Sequence, residues 1–196
     1  MGLPPERELK SVTLAICGIP ELPEALRPPV SHVISFLDPA WPEPQTLTAW
    51  PKQKRHLFRY DDVVAPGPGM QAPDDRLIAD LVGTFDRIIG EAPERLLIHC
   101  HAGRSRSTAT GLLWLWYRHR LSARALADAL LAYRPGAWPN TLILSLGDDV
   151  LKTGGVLQEA GRLVHHRTAR DDIAFTDWLA TTARRSEVLA ARERDG

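Results

Sequence analysis

A chain of 196 residues, 44% hydrophobic and 24% charged, is long enough for one domain around a full core. Its 24 basic and 24 acidic residues cancel, which excludes a global field drawing it to nucleic acid or an anionic membrane. Any grip on an anion must be local.

Residues 11–19 and 32–37 read as short buried strands, and residues 56–60 as a third. Val63 to Pro73 holds three prolines and two glycines, so no regular element persists there. Ile78, Leu81, Val82, Phe85, Ile88 and Ile89 then recur at helical spacing, with Asp74 or Asp75 placed to cap the start. Leu96-Leu97-Ile98 is a compact apolar strand that runs into His99-Cys100. After a polar turn, residues 106–118 are apolar almost all round, which marks a helix buried in the middle of a domain. Ser122 is placed to cap a helix through Tyr133, stopped by Pro135. Pro139 opens another, ending at Gly154-Gly155. Strands come early and helices late, the pattern of an α/β domain. Past residue 158 apolar positions thin out, and the tail reads as a peripheral helix or a partly disordered segment, with His165-His166 an exposed pair. The expected organisation is an extension over residues 1–10, a domain over 11–157 and a charged tail over 158–196.

No apolar run approaches the roughly 18 residues that span a bilayer. The N-terminus lacks a basic-then-apolar signal layout, and Glu6 stands where a myristoylation motif wants Ser or Thr. The expected location is the cytoplasm. Two cysteines allow one disulfide at most and do not make a secreted scaffold, so either both are inert or one is reactive.

The informative segment is His99-Cys100-His101-Ala102-Gly103-Arg104-Ser105-Arg106-Ser107, between a buried strand and a buried helix. Five residues separate Cys100 from Arg106, enough to curl the backbone around a tetrahedral oxyanion. Successive N–H groups and the helix N-terminus then form an anion cradle. Gly103 permits the backbone angles of so tight a turn, and the planar fork of Arg106 can grip two phosphate oxygens. A free cysteine titrates near 8.5, but one at a helix N-terminus beside arginine falls to roughly 3.5–7.5 and becomes a nucleophile. Ser107 can donate its hydroxyl to the sulfur.

This segment resembles the active-site loop of the protein tyrosine phosphatase superfamily, His-Cys-x5-Arg-Ser/Thr, and most of all its small bacterial and dual-specificity branch. Weaker likenesses lie in Cys17–Pro23, Val33–Asp38 and Trp138-Pro139-Asn140, so the resemblance spans about residues 11–157. It implies a single α/β domain with a central twisted, largely parallel sheet flanked by helices. It also implies a two-step displacement without cofactor or metal. Cys100 would attack phosphorus while an aspartic acid protonates the leaving oxygen, and the aspartate would then activate water against the phosphocysteine. Arg106 and the loop from His101 through Ala102, Gly103, Arg104 and Ser105 would hold the phosphoryl oxygens, with Ser107 assisting the thiolate. His99 and Asn140 would support the loop from behind. The acid lies roughly thirty to forty positions before the cysteine in this family; Asp61 and Asp62 fall there, and Asp62 is the first choice.

The substrate this implies is a phosphorylated protein, phosphotyrosine foremost with phosphoserine and phosphothreonine beside it, and neither nucleic acid nor membrane is expected as a partner. Phosphoinositides, inositol phosphates and RNA 5′-phosphates are the alternatives with the same chemistry. Two further rivals are a non-catalytic phosphate-binding module and a metal site on His99, Cys100, His101 and His165-His166. Cys17, without such a loop, reads as structural, and Asp74-Asp75 as a helix cap.

Overall fold

A computed structural model describes residues 12–27, 29–48 and 50–193, and the extension expected over 1–10 lies outside them. Four strands, β1 (Thr13–Gly18), β2 (His32–Leu37), β3 (Arg55–Arg59) and β4 (Arg95–Cys100), form one sheet in the order β1-β4-β2-β3. Every neighbouring pair is parallel. Parallel neighbours need crossover connections, and those helices cover the faces of the sheet. That explains why β2 is buried at all of its positions.

Alternation along the strands divides the core in two. Ile16, Ile34, Phe36, Ile98 and Cys100 face one layer of helices, while Cys17, Val33 and Leu97 face the other side with Leu22 and Leu47. Cys17 and Cys100 therefore stand on opposite faces of the sheet. Leu22 and Leu47 belong to two single-turn helices, α1 (Leu22–Ala25) and α2 (Gln45–Thr48), which carry too few residues to show a period in sequence.

Three of the longer helices begin where a capping side chain places them. Asp74 accepts from the Leu77 N–H at 2.8 Å and starts α3 (Asp75–Gly90), which buries Ile78, Leu81, Phe85 and Ile88. The Phe85 ring meets Trp114 edge-on, centroids 5.1 Å apart. Trp114 lies on α4 (Arg106–His119), buried without a break from Arg106 to Leu115. Ser122 caps α5 (Ala123–Tyr133), and Asn140 caps α6 (Thr141–Leu151). Helix α6 stops short of Gly154-Gly155 because Lys152 already takes the left-handed conformation, φ 54°.

The tail is helical through α7 (Val156–Asp171), α8 (Ile173–Leu179) and α9 (Arg185–Arg192). His165 is not exposed as expected. It is 4% accessible, stacks flat on Trp138 with centroids 4.0 Å apart, and donates from Nε2 to the Pro139 carbonyl at 2.9 Å. The buried stripe of α7 is made of Leu157, Ala160, Gly161, Val164, His165, Thr168 and Ala169, too many of them small or polar to register as an apolar face. No helix among the described residues is long and apolar enough to cross a membrane.

Burial holds the His165 imidazole down to a pKa of about 4, against 6.5 in the open chain, with Glu187 opposing and Arg184 reinforcing that shift. Above pH 6.5 the ring is neutral in both states and adds no pH dependence. Between about pH 6.5 and 4 the unfolded chain takes up a proton that the folded one refuses, so stability falls as pH falls, by on the order of 3 kcal/mol from this group. Denaturant unfolding across that window is expected to show a flatter decline for His165→Gln than for the wild type. Equal slopes would mean that His165 is protonated in the fold.

Candidate active site

The loop from His101 to Ser105 leaves the C-terminal end of β4, an inner strand between β1 and β2, where open α/β sheets build their sites. Its curl is held from outside. Gly103 has φ +69°, and a Cβ there would run into the carbonyl carbon of Cys17 and the nitrogen of Gly18. Across that contact, a Cβ on Gly18 would lie 2.9 Å from the Ala102 carbonyl carbon and the His101 oxygen. The loop and the end of β1 thus fit only as two glycines. Arg134 grips the outer carbonyls, donating to Gly103 O at 3.0 Å and Ala102 O at 3.1 Å, and Glu21 holds Arg134 at 2.6 Å. The Ile19 N–H takes the His101 carbonyl at 2.9 Å. With three successive carbonyls bound on the outside, the loop's amide groups are left for the inside.

Cys100 is 1% accessible, and its sulfur lies 3.2 Å from the Ser107 hydroxyl. His99 is buried behind it with Nε2 at 2.7 Å from the Ser35 hydroxyl. Burial drives the His99 pKa down to about 4, so near neutrality it is an uncharged scaffold group and not a cation beside the sulfur. Arg106, 2% accessible, donates from Nη1 to Tyr60 O at 2.8 Å and lies 2.7 Å from Asp38 Oδ1. Its buried Nε has no hydrogen-bond partner among the described residues. Such a donor is costly unless something accepts from it, and an oxyanion inside the loop would.

The two aspartates after β3 go separate ways. Asp61 accepts from the Gln71 N–H at 2.7 Å and its own N–H donates back to Gln71 O at 2.8 Å, which closes the Pro/Gly-rich loop into a ring. Asp62 turns to the loop after Cys100. Its Oδ1 accepts from Ser105 Oγ at 2.7 Å and Asn140 Nδ2 at 2.8 Å, and Oδ2 lies 3.8 Å from Arg106 Nε. Asn140 does two jobs, since its Oδ1 also caps α6 through the Ile143 N–H at 3.1 Å.

His101 and Arg104 point to opposite sides of the loop. His101 Nε2 accepts from the Asp38 N–H at 3.3 Å, with the Trp41 ring 4.6 Å away. Arg104 reaches outward to Gly136 O and Asp172 and lies over the Phe175 ring at 4.1 Å. Ala102 is exposed on the rim. Cys17 has no part in this cluster, and burial pushes its thiol up to about 12.

No family model and no curated protein sequence matches the chain. Solved structures do match it. The Cydia pomonella PTP-2 phosphatase superposes with a TM-score of 0.55 at 19% identity, over 71% of this chain and 86% of that one. Human DUSP28 gives 0.54 at 19% identity, over 72% and 93%. A human tyrosine phosphatase-like serine/threonine/tyrosine-interacting protein gives 0.52 at 14%, over 69% and 85%. The chain has the protein tyrosine phosphatase fold.

Within the protein tyrosine phosphatase fold, several residues of the site carry no mark in the sequence. Asp38 and Tyr60 place the Arg106 guanidinium, and Glu21 with Arg134 braces the loop. Arg184 reaches Ser105 Oγ at 2.8 Å from the far end of the chain. Asp38 follows a strand with the same look as any turn residue, and Arg134 and Arg184 stand at helix ends, where a solvated charge is the ordinary reading. Only their tertiary neighbours distinguish them.

Proposed function

We propose that this protein is a cysteine-dependent phosphatase that hydrolyses phosphate monoesters through a phosphocysteine at Cys100. The observation that carries the proposal is one cluster: a buried thiol beside a serine hydroxyl, a buried arginine with a free Nε–H, and Asp62 at the rim. In the first step the Cys100 thiolate forms the S–P bond as the P–O bond to the leaving group breaks. Asp62 delivers its proton to that departing oxygen. In the second step Asp62 takes a proton from water, whose oxygen attacks phosphorus and expels the thiolate, and Ser107 donates to the leaving sulfur. Arg106 and the loop amides stabilise the charge on the equatorial oxygens in both steps. All of these groups fall within residues 11–157, the span we assign to the phosphatase domain. A non-catalytic phosphate-binding role is disfavoured by the intact Cys100, Asp62 and Arg106.

The substrate we propose is phosphotyrosine in a protein. Trp41 beside His101 and Trp178 beyond Phe175 expose aromatic surface on the two flanks of the loop. Arg104, the basic loop residue that a polyphosphorylated inositol would call on, is already paired with Asp172. Phosphotyrosine peptides, phosphoserine peptides, phosphoinositides and RNA 5′-phosphates assayed side by side test this. The expected result is the highest kcat/KM on phosphotyrosine peptides; a higher value on phosphoinositides or RNA ends would transfer the same chemistry to those substrates.

A further inference from the structure

The C-terminal helices do more than cover the core, because the arginine at the N-cap of α9 reaches the Ser105 hydroxyl, one of the donors that hold Asp62. Arg184, at the start of α9, has its side chain 13% accessible and divides its guanidinium between two partners. Nη1 donates to Ser105 Oγ at 2.8 Å, and Nε donates to Glu187 Oε2 at 2.6 Å. The Ser105 hydroxyl, its oxygen occupied by Arg184 as acceptor, directs its single proton to Asp62 Oδ1. Glu187, 8% accessible, accepts from Trp138 Nε1 at 3.0 Å and Thr141 Oγ1 at 2.6 Å. Trp138 and Thr141 bracket Asn140, the second donor to the same Asp62 oxygen. The Arg184–Glu187 pair therefore fixes both donors that hold the carboxylate.

We infer that Arg184 is a positioning residue for the general acid, acting from the C-terminal tail through the Ser105 hydroxyl. The inference rests on the phosphatase reading and adds a requirement to it. Asp62 must be held so that its second oxygen stays beside Arg106 and free for the leaving group. Without Arg184 the Ser105 hydroxyl loses its orientation, and a misplaced acid penalises only those substrates whose leaving oxygen needs a proton.

The test compares Arg184→Ala, Ser105→Ala and the double variant on phenyl phosphate and on 2,4-dinitrophenyl phosphate, whose leaving group departs unprotonated. Arg184→Ala is expected to lower kcat on phenyl phosphate by about tenfold or more and to stay within about twofold on the activated ester. The double variant should be no worse than the poorer single one, because both remove one link. Arg184→Lys, which keeps a donor, should recover part of the loss. Arg192→Ala, which removes the tail contacts to Thr176 and Asp177, monitors the effect of loosening the tail away from the site. Equal losses on both esters, additive losses, or a loss shared by Arg192→Ala would overturn the positioning role and leave the phosphatase reading standing. A wild type that hydrolyses neither ester would overturn both.

Discussion

Cys100→Ser is expected to abolish turnover while vanadate still binds. The cradle that holds an oxyanion is backbone, shaped by Gly103 and Gly18 and clamped by Arg134, and its charged group is Arg106. None of these is touched by exchanging sulfur for oxygen. A serine hydroxyl at the same place has no base to ionise it, since His99 behind it is engaged with Ser35 and Ser107 is itself a neutral alcohol. Single-turnover hydrolysis and vanadate titration on the same preparation check this. Turnover within about tenfold of wild type would remove Cys100 from the nucleophile's role. Cys17→Ser should leave turnover almost unchanged, because Cys17 packs against Leu22, Val33 and Leu97 on the far side of the sheet.

Asp62→Asn should lower turnover of phenolic and alkyl phosphates by roughly 10²–10⁴, the contribution of a positioned general acid. Asp61→Asn should cost far less, since Asp61 spends its carboxylate on the Gln71 N–H. An ester whose leaving group needs no proton should be hydrolysed nearly normally by the Asp62 variant. A larger loss in Asp61→Asn would reverse the two assignments.

The divergence of these adjacent aspartates was legible from backbone alone, because neighbours on an extended chain project to opposite sides. The loop at Cys100 was legible for a different reason. Its spacing, its glycine and its position between a strand and a helix each answer the same local need, to wrap an anion. Caps at Asp74 and Ser122 likewise act within three residues of themselves and show in sequence. What stayed hidden acts across the chain. Asn140 and Asp62 are 78 positions apart, Ser105 and Arg184 are 79, and no local pattern encodes such pairs. The tail was obscured by composition, since α7 packs through alanine, glycine, threonine and a histidine whose burial only the stacked Trp138 explains.

The strand order has a consequence for how the protein comes into being. β1 and β2 do not pair with each other; each pairs with β4, which follows both in the chain and slots between them. Cys100, the proposed nucleophile, sits at the end of that keystone strand. A folding intermediate that has formed its local helices still lacks a closed sheet, and lacks the brace that β1 gives the loop at Gly103. Pairings this distant in sequence close slowly, late in the search for the native state. Catalytic competence and the closing of the sheet are then a single event, so regained hydrolysis after dilution from denaturant would time the insertion of β4 itself.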